Sequence, residues 1–449
     1  QPLISEEEQQ YGSTTESALE GNGAAPEQEK LARATLSSWE IIAKLSTAFA
    51  YGCILTTLFL ITLPLECARI QKQHPTIPKS VSLGVFVAIA GITQLISPLT
   101  GMLSDTYRPP TNDIGQRLPY LVFGAIITVC GLLGQGVASE RKFWIRYSFS
   151  FFLHMIGLNI VYSMMIALIP DQVPQSQTGT ANGILALLLV TGSLFGFALF
   201  HSILYSILQS MYGLYTVIVI CTTILTCFYA SDEDVALAEK RRQEHQLPPL
   251  PTGRHVLLSP RLLLRTMIYD PLRRMDWATL AHSYTIDSTK YHNFFIVTVS
   301  RTFYYMGISV QTFFLYFVHD IIHVRDNPEN AVALLAILGQ CAGAITCYPV
   351  GLVSDNLCGG RRKPFVYVAC TILASAMLSL LLSTNMTHVT TIGLVLGAAN
   401  GMYLTMDTSL AVDTLPKDNG LDGSDTAQLL GVWGVAGFVG SALGPLLGG

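Results

Sequence analysis

The sequence predicts an all-α, polytopic membrane protein of two six-helix repeat bundles, with the last span missing from this chain. Half of the residues are hydrophobic and 12% are charged, which is about half of the charged fraction typical of soluble domains. Apolar runs of roughly 20 residues follow one another, and each is long enough to cross a hydrocarbon layer about 30 Å thick. A loop sequence that occurs twice indicates that one half-protein is present in two copies.

The duplicated loop lies between two apolar runs in each half. Its first copy begins with Gly101-Met-Leu-Ser-Asp105 and ends with Gly115-Gln-Arg117-Leu-Pro119, and its second copy begins with Gly351-Leu-Val-Ser-Asp355 and ends with Gly360-Arg361-Arg362-Lys363-Pro364. The copies are 351 − 101 = 250 positions apart at the first glycine and 364 − 119 = 245 at the proline. A second pair, Asp171-Gln-Val-Pro174 and Asp413-Thr-Leu-Pro416, repeats at 413 − 171 = 242. These similar offsets predict that the two halves share one fold.

The apolar runs predict spans near residues 43–66, 80–103, 119–138, 144–169, 181–203, 211–230, 292–318, 331–354, 365–383, 388–411 and 427–449. They divide the chain into a disordered cytoplasmic tail at 1–42, an N-terminal six-helix bundle at 43–230, a cytoplasmic central loop at 231–291 and a C-terminal bundle at 292–449. The partner of the sixth span would start near 211 + 245 = 456, beyond Gly449, so a twelfth span is predicted to be missing. Alternation from the tail places most Lys and Arg inside, which favours a cytoplasmic N-terminus.

The central loop contains a stretch, residues 261–280, that mixes arginines with Leu, Ile and Met. This pattern predicts either an amphipathic helix on an anionic leaflet or a basic linker between the halves.

No enzyme, cofactor or metal site is indicated by the residues. The sequence has no Cys-x-x-Cys or Cys/His spacing of a metal site, no Ser/His/Asp arrangement and no phosphate-cradling loop. The net charge of −4 argues against a nucleic-acid partner. The expected partners are the lipid bilayer, a small-molecule solute and a co-transported proton, and the expected state is a monomer in the plasma membrane or an endomembrane.

The paired loops resemble the signature loop of the major facilitator superfamily, and this resemblance covers all the spans. It implies the major facilitator fold and transport by alternating access. Finer motifs, Ile169-Pro-Asp-Gln-Val-Pro174, Arg301-Thr-Phe-Tyr-Tyr-Met-Gly307 and Ala411-Val-Asp-Thr-Leu-Pro416, resemble a branch near the glycoside and sucrose–proton symporters. Two departures from the family pattern are that Gln116 replaces a basic residue common in the first loop, and that the second span lacks the acidic residues that bind sodium in melibiose-type members.

The implied function is a secondary active transporter of a small polar solute, with a proton-coupled sugar as the leading candidate. One alternative is a proton-linked antiporter that exports amphiphilic compounds, because Gly440 to Gly449 matches a pattern of drug–proton antiporters. That pattern lies in the eleventh span rather than the fifth, and small residues at this spacing also let helices pack closely. A non-transporting membrane sensor is the other alternative.

Candidate substrate-binding residues lie in the spans. A charge buried there costs roughly 2.5–3.5 kcal/mol on insertion scales, and Arg301 lies within the seventh span. At about 100° per residue it shares a face with Tyr304, Tyr305 and Gln311, which suits a hydroxyl-rich or anionic ligand; the alternative is an arginine that snorkels to the surface. We expect Asp407, at a similar depth in the tenth span, to pair with Arg301 until substrate or a proton breaks the pair.

Further candidates follow from the repeat. Asn159 and Asn400 precede Asp171 and Asp413 by 171 − 159 = 12 and 413 − 400 = 13 residues, so both asparagines are expected to reach a ligand at corresponding depths. For proton coupling, Asp407 is the first candidate. Glu66, at the outer end of the first span, is either a second proton carrier or an acid at the membrane interface.

The repeat loops are expected to form a gate. Asp105 and Asp355 would accept hydrogen bonds from the free amides of a neighbouring helix N-terminus, a site that favours anions. The predicted gating residues are Gly101, Asp105, Arg117, Asp171, Asp355, Arg361, Arg362 and Asp413, with the arginines meeting Asp171 and Asp413. Such contacts would latch the cytoplasmic gate in the outward-facing state.

Overall fold

A computed structural model of the protein describes residues 35–107, 109, 115–199, 208–244, 265–274, 278, 281, 283–309, 311, 314, 317–324, 328–415 and 426–448. These residues are helical apart from short turns, and eight of the described helices are long and apolar enough to cross a membrane. The predicted all-α, multi-pass membrane fold is therefore confirmed. Most of the predicted tail, and residues 245–264 of the predicted central loop, lie outside the described residues.

The helices of the N-terminal half are α1 Ser38–Lys44, α2 Thr47–Thr57, α3 Leu63–Gln73, α4 Lys79–Thr93, α5 Ile96–Thr106, α6 Leu118–Glu140, α7 Trp144–Gln172, α8 Thr178–Leu199 and α9 Leu208–Glu244. The first predicted span is interrupted by a π-helical turn at Leu58–Thr62, and the second is interrupted between α4 and α5. Each interruption lies within one turn before a proline, Pro64 or Pro98, which cannot donate the next backbone hydrogen bond.

The remaining helices among the described residues are α10 Asp270–Arg274, α11 His292–Ile308, α12 Pro328–Asn356, α13 Lys363–Leu380, α14 Met386–Asp413 and α15 Thr426–Gly448. Several boundaries differ from the sequence prediction. α1 begins at Ser38, so residues 38–42 of the predicted disordered tail are helical, and α3 continues past residue 66 to Gln73. α9 continues past residue 230, where the apolar run ends, to Glu244. Residues 231–244 contain no proline or glycine to stop a helix, and Asp234 is buried against the start of α6.

The same helix pairs pack in both halves. In the N-terminal half α6 packs on α7 and α2 on α8, and the corresponding pairs of the C-terminal half are α13 with α14 and α11 with α15. The halves meet through α5 with α15 and through α8 with α12. Those two contacts are also copies of each other, because α12 is the repeat of α5 and α15 is the repeat of α8. The α5–α6 and α12–α13 loops lie at the same end of these contacts, which we call the motif face.

Candidate functional site

The first latch is an ionic cluster at the motif face that joins the first loop copy to α15. The Arg117 guanidinium lies 2.5 Å from Asp105 and 2.7 Å from Asp171, and its Nη1 donates to the Ser104 hydroxyl at 2.9 Å. The other Asp105 carboxylate oxygen accepts a hydrogen bond of 2.9 Å from the Gln428 backbone N–H. Because Gln428 is in the first turn of α15, Asp105 binds the N-terminus of a helix from the other half.

The second latch repeats this arrangement with the halves exchanged. Arg362 lies 2.5 Å from Asp355 and 2.9 Å from Asp413. Asp355 accepts hydrogen bonds from the backbone N–H groups of Gly179 at 3.2 Å and Thr180 at 2.6 Å, and from the Thr180 hydroxyl at 2.7 Å. Gly179 and Thr180 open α8, so this carboxylate also binds a helix N-terminus across the two halves.

The first glycine of each loop copy permits the close approach of these helices. A Cβ on Gly101 would lie 2.5 Å from the Gln428 backbone nitrogen, and a Cβ on Gly351 would lie 2.9 Å from the Gly179 carbonyl carbon. Atoms this close would push the helices apart. The motif glycine therefore sets the distance at which the aspartate four residues later can reach the amides.

Arg361 and Gln116, two further residues of the loops, lie in different surroundings. Arg361 is exposed, and it is the buried Arg362 that contacts Asp355 and Asp413. Gln116 is buried, and its amide donates to the carbonyl oxygens of Ser104 and Asp105 at 2.9 and 2.8 Å. The residue that departs from the family pattern thus donates hydrogen bonds to carbonyl oxygens in the last turn of α5, which have no partner within the helix.

The first latch is reinforced by Asp234, from the end of α9. Both carboxylate oxygens of Asp234 accept hydrogen bonds from the Arg117 backbone N–H, at 2.9 and 3.0 Å, and one also accepts from Leu118 N–H at 2.9 Å. Burial by itself lowers the pKa of Arg117, but the carboxylates of Asp105 and Asp171 outweigh burial and raise that pKa above its ordinary value. Arg117 is therefore a permanent cation held at both its backbone and its side chain.

The second part of the site is a buried ion pair between Arg301 of α11 and Asp407 of α14. The guanidinium carbon of Arg301 also lies 3.5 Å from the ring centroid of Trp433 and 4.7 Å from that of Tyr305. An Arg301 Nη2–H donates to the Tyr305 hydroxyl at 3.3 Å. The arginine is held by a carboxylate and by two aromatic rings that favour a cation through their π faces.

Tyr304 and Asn400 form a neighbouring contact in which the tyrosine hydroxyl donates to the asparagine carbonyl oxygen. The Tyr304 ring stacks on Tyr403, with centroids 3.4 Å apart and planes 7° apart. Tyr304 is thereby fixed by two residues of α14, and it orients the Asn400 side chain.

A cavity of about 640 Å³ lies between the halves next to these residues. Its lining comes from both halves and includes the polar or aromatic side chains of Tyr51, Gln94, Asn159, Tyr162, Arg301, Tyr305, Gln311, Gln340, Asn400 and Trp433. It extends to Val332 and Leu335, which are near the start of α12, whereas Asp355 is at the opposite end of that helix. The cavity therefore reaches away from the motif face, where the two latches hold the halves together.

The cavity separates the predicted substrate-binding residues into two groups. Five of them form part of its wall: Asn159, Arg301, Tyr305, Gln311 and Asn400. Tyr304 and Asp407 lie behind the wall and hold Asn400 and Arg301 in place.

Glu66 is far from this arrangement, in a buried cluster of the N-terminal half. Its carboxylate accepts a hydrogen bond from the Ser139 hydroxyl at 2.5 Å and from the Tyr212 hydroxyl at 3.3 Å, and Arg69 lies 3.4 Å away. Glu66 is fully buried but is not part of the cavity wall. Any proton that it binds would therefore act through the packing of α3, α6 and α9 rather than through the cavity.

Three features of the site have no clear signal in the sequence. Trp433 lies in an apolar run, where a tryptophan faces lipid as readily as it faces a cavity. Tyr51 and Tyr162, which stack with centroids 4.4 Å apart, come from different spans of the N-terminal half. Asp234 follows an apolar run, and only the continuation of α9 brings it to the loop.

Comparison with known proteins gives a family and a fold. The family model "Major Facilitator Superfamily" matches residues 47–445. The solved structure of the human organic anion transporter MFSD10 (TETRAN) has a TM-score of 0.64 at 14% identity, covering 92% of this chain and 93% of that chain. The proton:xylose symporter XylE bound to 6-bromo-6-deoxy-D-glucose has a TM-score of 0.63 at 14% identity, covering 91% and 88%. At this identity both show a shared fold, and no curated protein sequence matches the chain.

Proposed function

This chain belongs to the major facilitator superfamily of membrane transporters, and we propose that it moves a small polar solute across a membrane by alternating access. A sugar driven by a co-transported proton is the leading candidate. The finer sequence motifs, which resemble the branch of glycoside and sucrose–proton symporters, support this choice, and XylE shows that the fold can serve a proton:xylose symporter.

The cavity between the halves is the observation that carries the proposal. Its volume of about 640 Å³ is within the range of small-molecule sites, roughly 300–1,000 Å³. The amides of Asn159, Gln311 and Asn400 each offer a donor and an acceptor, which matches the hydroxyl groups of a sugar. Residues of both halves form the wall, so a bound solute bridges the two parts that move in this fold.

The proposed cycle uses the latches and the ion pair in sequence. With both latches closed at the motif face, the cavity opens to the opposite side of the membrane. This arrangement corresponds to an outward-facing state if the N-terminus is cytoplasmic. A proton that binds Asp407 removes its charge and frees Arg301, which then turns towards the solute. Rocking of the halves breaks the bonds from Asp105 and Asp355 to the helix N-termini and opens the motif face.

An organic anion is a second candidate solute, favoured by one specific observation. Arg301 is part of the cavity wall, whereas its partner Asp407 lies behind the wall. An anionic group in the cavity would therefore meet a cation without meeting the aspartate. MFSD10, which shares the fold, is described as an organic anion transporter.

Uptake into proteoliposomes tests the function. We would screen sugars, small carboxylates and hydrophobic cations, each with and without an inward proton gradient. Uptake of a sugar that requires the proton gradient supports the leading candidate, and uptake of carboxylates supports the second. Proton-driven exchange of hydrophobic cations would support an antiporter of amphiphilic compounds instead, and absence of transport for every class would favour a membrane sensor.

Matched carboxylate variants test the coupling residue. We expect Asp407→Asn to abolish the response to the proton gradient, because the neutral side chain imitates the protonated state permanently. Glu66→Gln, which removes another buried carboxylate, should retain the response. The reverse pattern would assign proton coupling to Glu66 and contradict the role proposed for Asp407.

A further inference from the structure

A short helical stretch of the central segment packs on the N-terminal half at the motif face. It consists of a π-helical turn at Arg265–Tyr269 followed directly by α10. Met267 points inward and is 3% exposed, and its carbonyl oxygen accepts a hydrogen bond of 2.8 Å from the Tyr120 hydroxyl. Tyr120 also bonds the Leu103 carbonyl oxygen at 3.1 Å. The inner side of the stretch is thus fixed to the two helices that carry the first latch.

The outer side of the same stretch presents two cations and an aromatic ring. Arg265, Tyr269 and Arg273 are spaced four residues apart, which puts them on one side of a helix. The Arg265 side chain is 66% exposed, Tyr269 is 57% exposed and Arg273 is also exposed. Asp270 lies 3.5 Å from Arg265, a separation at which an exposed pair contributes little. Tyrosine and arginine together are typical of the membrane–water interface.

The stretch lies at the lipid edge of the bundle. It packs where α5 ends and α6 begins, which is the level at which these spans leave the hydrocarbon layer. Further along the segment, the Tyr284 hydroxyl donates to the Leu95 carbonyl oxygen at 2.7 Å. The side chains of Leu95 and Ile92 are 43% and 62% exposed, so the segment follows an exposed apolar side of the second span.

We propose that Arg265, Tyr269 and Arg273 form a contact site for the phosphate groups of anionic lipids in the leaflet at the motif face. Each arginine near an anionic surface raises affinity about five-fold, so two of them give a preference of about 25-fold for anionic over zwitterionic lipid. Because the inner side of the stretch contacts Leu103 and Tyr120, a bound headgroup also stabilises the loop that holds Asp105 and Arg117. Anionic lipid is therefore expected to favour the closed motif face.

The test counts lipids retained by the purified full chain in native mass spectrometry, after extraction from bilayers of phosphatidylcholine and phosphatidylglycerol. The variant R265Q/R273Q removes both charges, and R265K/R273K keeps them. The control is R141Q/R146Q, which removes two exposed arginines at the ends of α6 and α7 opposite the motif face. Thermal unfolding in phosphatidylcholine alone shows whether each variant is folded.

We expect wild type, R265K/R273K and the control to retain phosphatidylglycerol about 25-fold more than R265Q/R273Q. Equal retention by R265Q/R273Q and wild type would overturn the proposal, and so would an equal loss in the control, because retention would then reflect total charge. If R265Q/R273Q does not fold, Asp270→Asn decides the question. It removes the competing carboxylate and should increase phosphatidylglycerol retention, and an unchanged value would contradict the site.

Discussion

The two latches are built from the same residue types, but the surrounding protein does not support them equally. Both place an arginine between two aspartates and aim one aspartate at a helix N-terminus of the other half. In the first latch the Asp171 side chain is 6% exposed, whereas its counterpart in the second latch, Asp413, is 22% exposed. Only the first is known from the described residues to receive an added carboxylate, Asp234, from the central segment. Duplication thus explains the shared chemistry, and sequence outside the repeat explains the extra support.

Replacing each latch arginine by a neutral residue should give the largest difference in stability between the two latches. Removing one partner of a buried ion pair typically costs about 3–5 kcal/mol, because the other charge stays buried. We expect Arg117→Gln to lower stability by about that amount, since it leaves Asp105 and Asp171 facing each other. Arg362→Gln should cost less, because water reaches Asp413. Thermal unfolding of both variants in one detergent measures the difference, and a larger loss for Arg362→Gln would reverse the comparison.

Removal of Asp234 should weaken the first latch alone. Asp234→Ala leaves the buried N–H groups of Arg117 and Leu118 without their acceptor, and an unsatisfied buried donor costs roughly 1–3 kcal/mol. Asp232→Ala is the matched control, because Asp232 is exposed on the same helix. Thermal unfolding should show a loss for Asp234→Ala only, and equal behaviour of the two variants would mean that Asp234 does not support the latch.

The aspartates that cross between the halves should control opening rather than folding. A carboxylate at a helix N-terminus is worth about 0.3–1 kcal/mol, and up to about 2 when partly buried. Asp105→Asn and Asp355→Asn should therefore shift the population towards an open motif face by up to about 30-fold each. Reaction of an introduced cysteine in the cavity wall, probed from each side, reports the shift. Unchanged accessibility from both sides would contradict the gating role.

The smallest effect is expected for Arg361, which adjoins Arg362 but is exposed. Surface substitutions away from special features usually change stability by less than about 0.5 kcal/mol. Arg361→Gln should therefore leave both unfolding and accessibility unchanged. A loss comparable to that of Arg362→Gln would show that Arg361 takes part in the latch.

The sequence predicted the fold and the correspondence between the spans of the two halves, because span length and the repeat offset are both direct physical signals. It also placed Asp105, Arg117 and Asp171 in one gate, with Arg117 meeting Asp171, since the same residue types recur at matching positions of the second half. The ion pair between Asp105 and Arg117 was not predicted. It could not choose between Arg361 and Arg362, because adjacent residues point about 100° apart and only the start of α13 fixes which one turns inward.

Other parts of the site depend on contacts between helices, which the sequence does not show. A helical face can group Arg301 with Tyr304 and Tyr305, but it cannot show that Tyr304 lies behind the cavity wall. The role of Trp433 could not be predicted from the sequence for a similar reason, because it depends on a contact with Arg301 on another helix. Asp234 was assigned to a polar linker, since hydropathy marks the end of an apolar run and not the end of a helix.

Distances between paired spin labels test the central claim, that the two latches close one face while the cavity serves the other. Exposed cysteines would be replaced by serine. One label pair then joins Asp232→Cys to Arg361→Cys at the motif face, and a second joins His74→Cys to Thr384→Cys at the opposite face. We predict that adding Asp105→Asn and Asp355→Asn lengthens the first distance and shortens the second. A change at the motif face without a reciprocal change at the opposite face, or no change at either, would contradict alternating access governed by these latches.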